Sequence, residues 1–442
     1  MAHICLFSPY SIAQAQPSSL PCTSNIESER RRDETATTLH RIPQITVAFI
    51  RTMAMRVQAE LSLVPIEGVE RLEKYRPGGY CPMVTGEQIS DRAQARPRNI
   101  STVWLARDKQ QKSYVAVKVS TAYSPSCEAG VLRAIEESPC VTDSPGRTLL
   151  PLLHDEFSIR SSAGSHKCYI TSAVRCSVAA TKLTSFFNIK VARALLSPLA
   201  LVVAYIHAQG AAHGVGPVIC VDLTIHLGNV LLRLPSHLNR LSIKQLYKNF
   251  GNPLLIWLGR KAKEITPSKV HLMLSDFGEQ CQSPLLVLPQ EAHHQPDKPI
   301  SFPADIWTLA CALLEVFSSR TDATLATRDY IAAQPVAVLG SLPAEWWSSW
   351  QARGEYFDED DRPADRRFVF PSLEETFEMD VQASRRGSNL GKLGMEEKEA
   401  FLGMLRQMLC LQTRETRYDI RYSWVSVDER VGLPSVERIG KS

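Results

Sequence analysis

Hydrophobic positions change their spacing once along the chain. Between residues 101 and 172 apolar residues come in short, β-branched runs, and beyond 180 they recur at helical spacing. STVWL at 101–105 and SYVAVKVS at 113–120 predict strands, and the charged stretch 106–112 predicts the hairpin connection between them. From Pro125 the period lengthens, with Ala129, Leu132, Ala134 and Ile135 recurring near 3.6. Strand-like runs return at 149–157 and 168–172. Helices are then predicted over 191–208, 303–317 and 396–411, the last with Phe401, Met404, Leu405, Met408 and Leu409 on one face. Pro198 predicts a kink or break in the first of these. Strands followed by helices predict an α+β protein with a small β-rich lobe and a larger helical lobe.

Boundaries follow from composition. Residues 1–60 are rich in Ser, Thr, Gln and Arg, with weak periodicity, and read as a disordered leader. The small lobe is expected at 61–175, the large lobe at 176–430 with an insert at 234–270, and a tail at 431–442. YRPGGYCP at 75–82 predicts a turn or an extended arm. A length of 442 residues allows two or three folding units. With 50 basic and 46 acidic residues the charge of +4 argues for neither a nucleic acid nor a membrane partner. The 11 cysteines contain no CxxC pair, which predicts reduced core thiols and a cytoplasmic and/or nuclear location. Arginines between 30 and 56 also read as a mitochondrial presequence, against which Glu27, Glu29, Asp33 and Glu34 count. The best apolar run, 194–206, has 13 residues and is interrupted by Ser197 and Pro198. A spanning helix needs about 18–20 residues, so no segment is expected to cross a bilayer.

Four groups of residues carry candidate chemistry. Ser275-Asp276-Phe277-Gly278 follows an apolar strand, and a carboxylate there suits a Mg²⁺ ligand on a loop; a simple turn aspartate is the alternative. Lys118 lies inside the apolar strand VAVKV, where its ammonium is costly unless it meets a phosphate or a carboxylate. Glu128, which opens the next helix, can supply the carboxylate; a lysine reaching out to solvent from an edge strand is the alternative. His213, Asp222 and His226-Leu227-Gly228-Asn229 form the third group, in which Asn229 can offer its carbonyl to a second metal ion. Glu291 and Asp305-Ile306-Trp307 form the fourth, and a buried aspartate at a helix start caps it or holds a neighbouring loop.

These groups occur in the order of the protein-kinase signature set. The chain resembles a eukaryotic-type protein kinase and, within that class, the SR-protein kinase family. The carriers are YRPGGYCPM at 75–83, STVWLARD at 101–108, YVAVKV at 114–119 and the 47-residue interval from Asn229 to Asp276. The resemblance covers roughly 65–425. It implies a two-lobed kinase fold, ATP and Mg²⁺ as cofactors, and transfer of the γ-phosphoryl group to serine in Arg/Ser-rich proteins such as splicing factors. By the same resemblance Lys118 holds the α- and β-phosphates and Glu128 orients it. Thr171 is the gatekeeper, and Ser172 to Val174 form the hinge that meets adenine. Asn229 and Asp276 bind Mg²⁺, Glu291 anchors the activation segment, and Asp305 holds the backbone of the catalytic loop.

Several features depart from the family. DRAQARPRNI at 91–100 holds no glycine where the family has a glycine-rich loop. The family's His-x-Asp-x-x-x-x-Asn is stretched to an interval of 16 residues between His213 and Asn229, leaving Asp222 as the candidate catalytic base. Asp276 to Glu291 is only 15 residues, and Arg417 is the candidate partner of Glu291. Such clustered departures read as a divergent or damaged copy, and the alternative function is a pseudokinase, a non-catalytic binding or scaffold module. A small-molecule phosphotransferase is a third reading, against which STVWL and the insert weigh. Glu355, Asp358, Glu359, Asp360 and Asp361 can attract a basic peptide or form a solvated loop.

Overall fold

A computed structural model describes residues 75–83, 101–108, 111–124, 128–138, 144–182, 186–213, 225–250, 262–277, 289–295, 302–318, 328–340, 342–365 and 369–409. The predicted leader and tail, the glycine-free stretch 91–100, Asp222, Gly278 and Arg417 lie outside the described residues.

The architecture is α+β, an antiparallel sheet first and mostly helices after. Strands β1 (Ser101–Asp108), β2 (Ser113–Ser120), β3 (Leu153–Ser161) and β4 (Gly164–Ser172) pair in the order β1-β2-β4-β3. Strand β2 is interior, and every residue after Ser113 is buried, which explains its unbroken apolar run. The hairpin register runs from Ser101↔Ser120 to Asp108↔Ser113, so β1 continues three residues beyond the expected 101–105. Helix α1 (Glu128–Glu137) follows, and its Leu132 and Ile135 join the main hydrophobic core.

The strand expected at 149–157 is displaced. Pro145–Leu149 is a 3-10 turn, and β3 begins only at Leu153. Pro145 presets a helical φ at the start of the turn. Gly146 then sits against the following helix so closely that a Cβ would lie 2.5 Å from the carbonyl oxygen of Leu201. Both residues commit the segment to a tight corner before the strand can start.

A second antiparallel sheet holds β5 (Val174–Ser177), β6 (Val230–Arg233) and β7 (Leu272–Leu274) in that order. Around it lie α2 (Ile189–Ala208), α3 (Phe302–Phe317) and α4 (Met395–Met408). Asn188 caps α2 by accepting the Lys190 N–H at 3.0 Å. The helix expected over 191–208 forms, and of the kink or break expected at Pro198 the break does not occur: α2 runs through it as one helix. An interior proline costs about 3 kcal/mol. Burying Val191, Leu195, Leu196, Leu199, Val202, Val203 and Ile206 at about 1.5–3 kcal/mol each outweighs that cost. Because the helix absorbs Ser197 and Pro198, it is 20 residues long and, by length and composition, apolar enough to cross a membrane. That corrects the expectation from the interrupted 13-residue run; two-thirds of its most apolar window is buried inside the protein, as for a core helix.

Two fastenings complete the frame. Arg385 is fully buried and donates to the carbonyls of Gly391 (2.7 Å), Phe317 (3.1 Å) and Phe187 (2.8 Å), tying the ends of three segments. In the predicted insert, residues 234–250 fold onto the connection between the sheets. Leu234 N–H donates to Ala173 O at 3.1 Å, Asn239 Oδ1 accepts the Tyr114 N–H at 2.9 Å, and Leu246 is buried against Leu105, Tyr114 and Ala173.

Candidate active site

Register places the candidate residues. Residues 171–174 link the sheets: Thr171 pairs with Ala116, Ser172 pairs with Val115, and Val174 opens β5 opposite Arg233. The pairing Val230↔Leu274 sets Asn229 beside Ser275, whose N–H donates to the Asn229 carbonyl at 3.0 Å. Asn229 and Asp276 are thereby brought to the same end of the second sheet.

Lys118 is only 6% exposed, and an ammonium there needs charge partners. It has two. Nζ donates to Glu128 Oε2 at 2.6 Å and to Asp276 Oδ1 at 2.7 Å, the latter across 158 residues of chain. Glu128, 2% exposed, also receives the Tyr169 hydroxyl on Oε2. Its Oε1 accepts the backbone N–H groups of Asp276 (2.8 Å) and Phe277 (3.2 Å). These two bonds hold Asp276 at φ +65°, a left-handed conformation unusual for a residue with a side chain.

The Asp276 carboxyl is one-third exposed. Burial works to raise its pKa, but the charge and hydrogen bond of Lys118, with His213 and His226, outweigh burial and hold it below the ordinary carboxylate range. Oδ2 has no hydrogen-bond partner among the described residues. The site thus presents an ionised oxygen toward solvent from a fixed backbone.

A second chain of bonds supports the first from below. Asp305, buried at the start of α3, accepts the His213 N–H at 2.7 Å and the His207 Nε2–H at 2.9 Å. His213 donates from Nε2 to the Ser275 carbonyl at 2.9 Å, and its ring lies 4.7 Å from that of Phe277. His226 folds back over Gly228, whose N–H donates to Nδ1 at 3.1 Å; a Cβ at Gly228 would meet the ring at 2.6 Å. Burial pushes the His226 pKa down to about 4; Asp276 opposes this shift and His213 adds to it. Glu291 lies in the first turn of the helix Gln290–His294 with burial raising its pKa, and no bond ties it to this network among the described residues.

Comparison with known proteins finds distant relatives among serine/threonine protein kinases. A serine/threonine protein kinase of Aspergillus fumigatus is 29% identical over 156 residues, 34% of this chain and 39% of that protein. SKY1, a serine/threonine-protein kinase of Saccharomyces cerevisiae, is 32% identical over 108 residues, 22% of this chain and 15% of SKY1. SRSF protein kinase 3 of Mus musculus is 33% identical over 112 residues, 24% of this chain and 20% of that kinase. This chain resembles the SR-protein kinases among eukaryotic protein kinases. No protein-family model matches it, and the matched region spans about two-fifths or less of these kinases' own lengths.

Sequence reasoning brought Lys118, Glu128, Asn229, Asp276 and Asp305 forward, and the fold gathers them at neighbouring strand and helix ends. It missed Tyr169, and it named His226 and Ser275 within their motifs without giving either a role. Tyrosine in a strand is an ordinary β residue, and only the Lys118↔Tyr169 register reveals its partner. The spacing His226-x-Gly228 was a signal for the ring folding back, since a side chain at the second position would clash.

Proposed function

We propose that the chain binds Mg-ATP and transfers its γ-phosphoryl group to serine hydroxyls of Arg/Ser-rich proteins, using a kinase fold whose two lobes join at residues 172–174. The observation that carries this reading is the meeting of Lys118, Glu128 and Asp276 from three separate elements. An ammonium between two carboxylates, one buried and one reaching solvent, suits a phosphate site better than a structural ion pair, because the second oxygen of the solvent-facing carboxylate is unbonded among the described residues.

Asp276 and Asn229 fit a magnesium ion: both carry oxygen donors, and both sit at one end of the second sheet. A metal held there would supply positive charge to neutralise the phosphates. Lys118 would hold the α- and β-phosphate oxygens and Glu128 would keep it in place. Thr171 and the stretch 172–174 would border the adenine. Asp222 would take the proton of the attacking serine. Glu355, Asp358, Glu359, Asp360 and Asp361 would draw in a basic peptide by charge. The similarity to an SRSF protein kinase supports substrates of that class.

A second reading, a nucleotide-binding pseudokinase, is favoured by the 16-residue interval from His213 to Asn229 and by the glycine-free stretch 91–100. The deciding experiment pairs a thermal shift with Mg-ATP and phosphotransfer to an Arg/Ser peptide. A shift with transfer supports the kinase. A shift without transfer selects the pseudokinase, and neither result would sink both.

A further inference from the structure

One contact of the first sheet does more than the proposed chemistry asks of it. The antiparallel register of β2 and β4 sets Tyr169 directly opposite Lys118, so both side chains rise from one face of the sheet toward α1. Tyr169 is 3% exposed, and its hydroxyl donates to Glu128 Oε2, the oxygen that Lys118 also engages. The ring face is not what holds the lysine, because Nζ lies 6.0 Å from the ring centroid, at the outer limit of a cation–π contact. The hydroxyl is therefore the functional part of this side chain; phenylalanine would fill nearly the same volume.

A carboxylate offers about four lone-pair sites, two on each oxygen. In Glu128 each has a donor: Lys118 and Tyr169 on Oε2, the N–H groups of Asp276 and Phe277 on Oε1. With all four filled, the carboxylate has one orientation, and that orientation fixes both Lys118 and the left-handed backbone at Asp276. Remove one donor and a buried lone pair is left empty, which favours rotation of the carboxylate and release of the others.

We infer that Tyr169 is a positioning residue for the nucleotide site: its hydroxyl locks Glu128, and Glu128 passes that constraint to Lys118 and to the backbone of Asp276. The inference rests on the Mg-ATP reading above for its functional half, and its structural half is testable without nucleotide.

The test compares the native chain with Tyr169→Phe by hydrogen exchange and by Mg-ATP titration. Expected are about tenfold faster exchange at the Asp276 and Phe277 amides, unchanged exchange in β3, and about a tenfold rise in half-saturating Mg-ATP. In a Glu128→Gln background, Tyr169→Phe should add nothing to either readout. Unchanged exchange at the two amides would overturn the inference, as would an equal acceleration across the whole first sheet, which marks a packing role alone. If native protein binds no Mg-ATP, the nucleotide reading falls, and the exchange result still decides for or against the coupling of Tyr169 to Asp276.

Discussion

Asp305 accepts the backbone N–H of His213 at 2.7 Å, and through it helix α3 sets the height of the whole candidate site. The bond matters because His213 in turn donates to the carbonyl just before Asp276. Asp305→Ala would leave two donors, the buried N–H of His213 and the half-buried ring N–H of His207, without their acceptor. A loss of about 2–4 kcal/mol is expected, read from urea unfolding, with Asp305→Asn losing less. Equal stability of native and Asp305→Ala protein would show that the bond carries no load.

Asp276→Asn removes the ionised oxygen that the proposed metal site needs, while an amide keeps the shape. Mg-ATP affinity should fall more than tenfold and transfer should vanish. Asp222→Asn should leave Mg-ATP affinity within about twofold and slow transfer by about 10²–10⁴, the usual share of a general base. Isothermal titration and peptide phosphorylation separate the two, and an unchanged rate for Asp222→Asn removes Asp222 from the mechanism.

Acid should weaken the fold through its histidines. His226 has its pKa pushed down to about 4 by burial, against about 6.5 when unfolded. Between those values the unfolded chain binds the extra proton, so stability rises with pH across the window and falls as the pH drops from 6.5 toward 4. Between pH 7 and pH 5 the share of His226 is on the order of 2 kcal/mol. His154, His166 and His294 shift in the same direction, each chiefly by burial. Thermal melts at the two pH values should show the fall, and His226→Asn should shrink it; an identical pH slope in the variant would rule out His226 as a contributor.

Arg385 is expected to behave as a structural clamp. Burial lowers its pKa to about 10, with Arg193 adding to the effect, so it remains charged at pH 7. Arg385→Met leaves the carbonyls of Phe187, Phe317 and Gly391 without this donor, at a cost of about 3 kcal/mol or more. Arg385→Lys should recover only part of this, because one ammonium cannot span the three directions of a guanidinium. Chemical denaturation of both variants is the check.

Much of the fold was legible because its elements obey simple periods: VAVKV as an interior strand, the Phe401–Met404–Leu405–Met408 stripe as a helix face. The contact of Lys118 with Glu128 was legible because an ammonium in an apolar strand forces a partner into being. The later start of β3 was not, since the close approach of Gly146 to Leu201 depends on a helix more than fifty residues further on. The helix over 191–208 was legible as a helix, but its passage through Pro198 without a break was not, since there the surrounding core overrides a local rule. The four-donor arrangement at Glu128 arises from strand register together with the turn at Asp276, and no local pattern encodes it.

Residues 234–250 bear on how the two sheets can move. Leu246 is wedged among Leu105 and Tyr114 of the first sheet and Ala173 of the connector, and Leu234 is bonded to that same connector. A pivot at Ala173 is therefore splinted from outside. Any swing of one sheet against the other must either carry the splint along or shear its apolar seat, so the connector acts as a stiff leaf spring rather than a free joint.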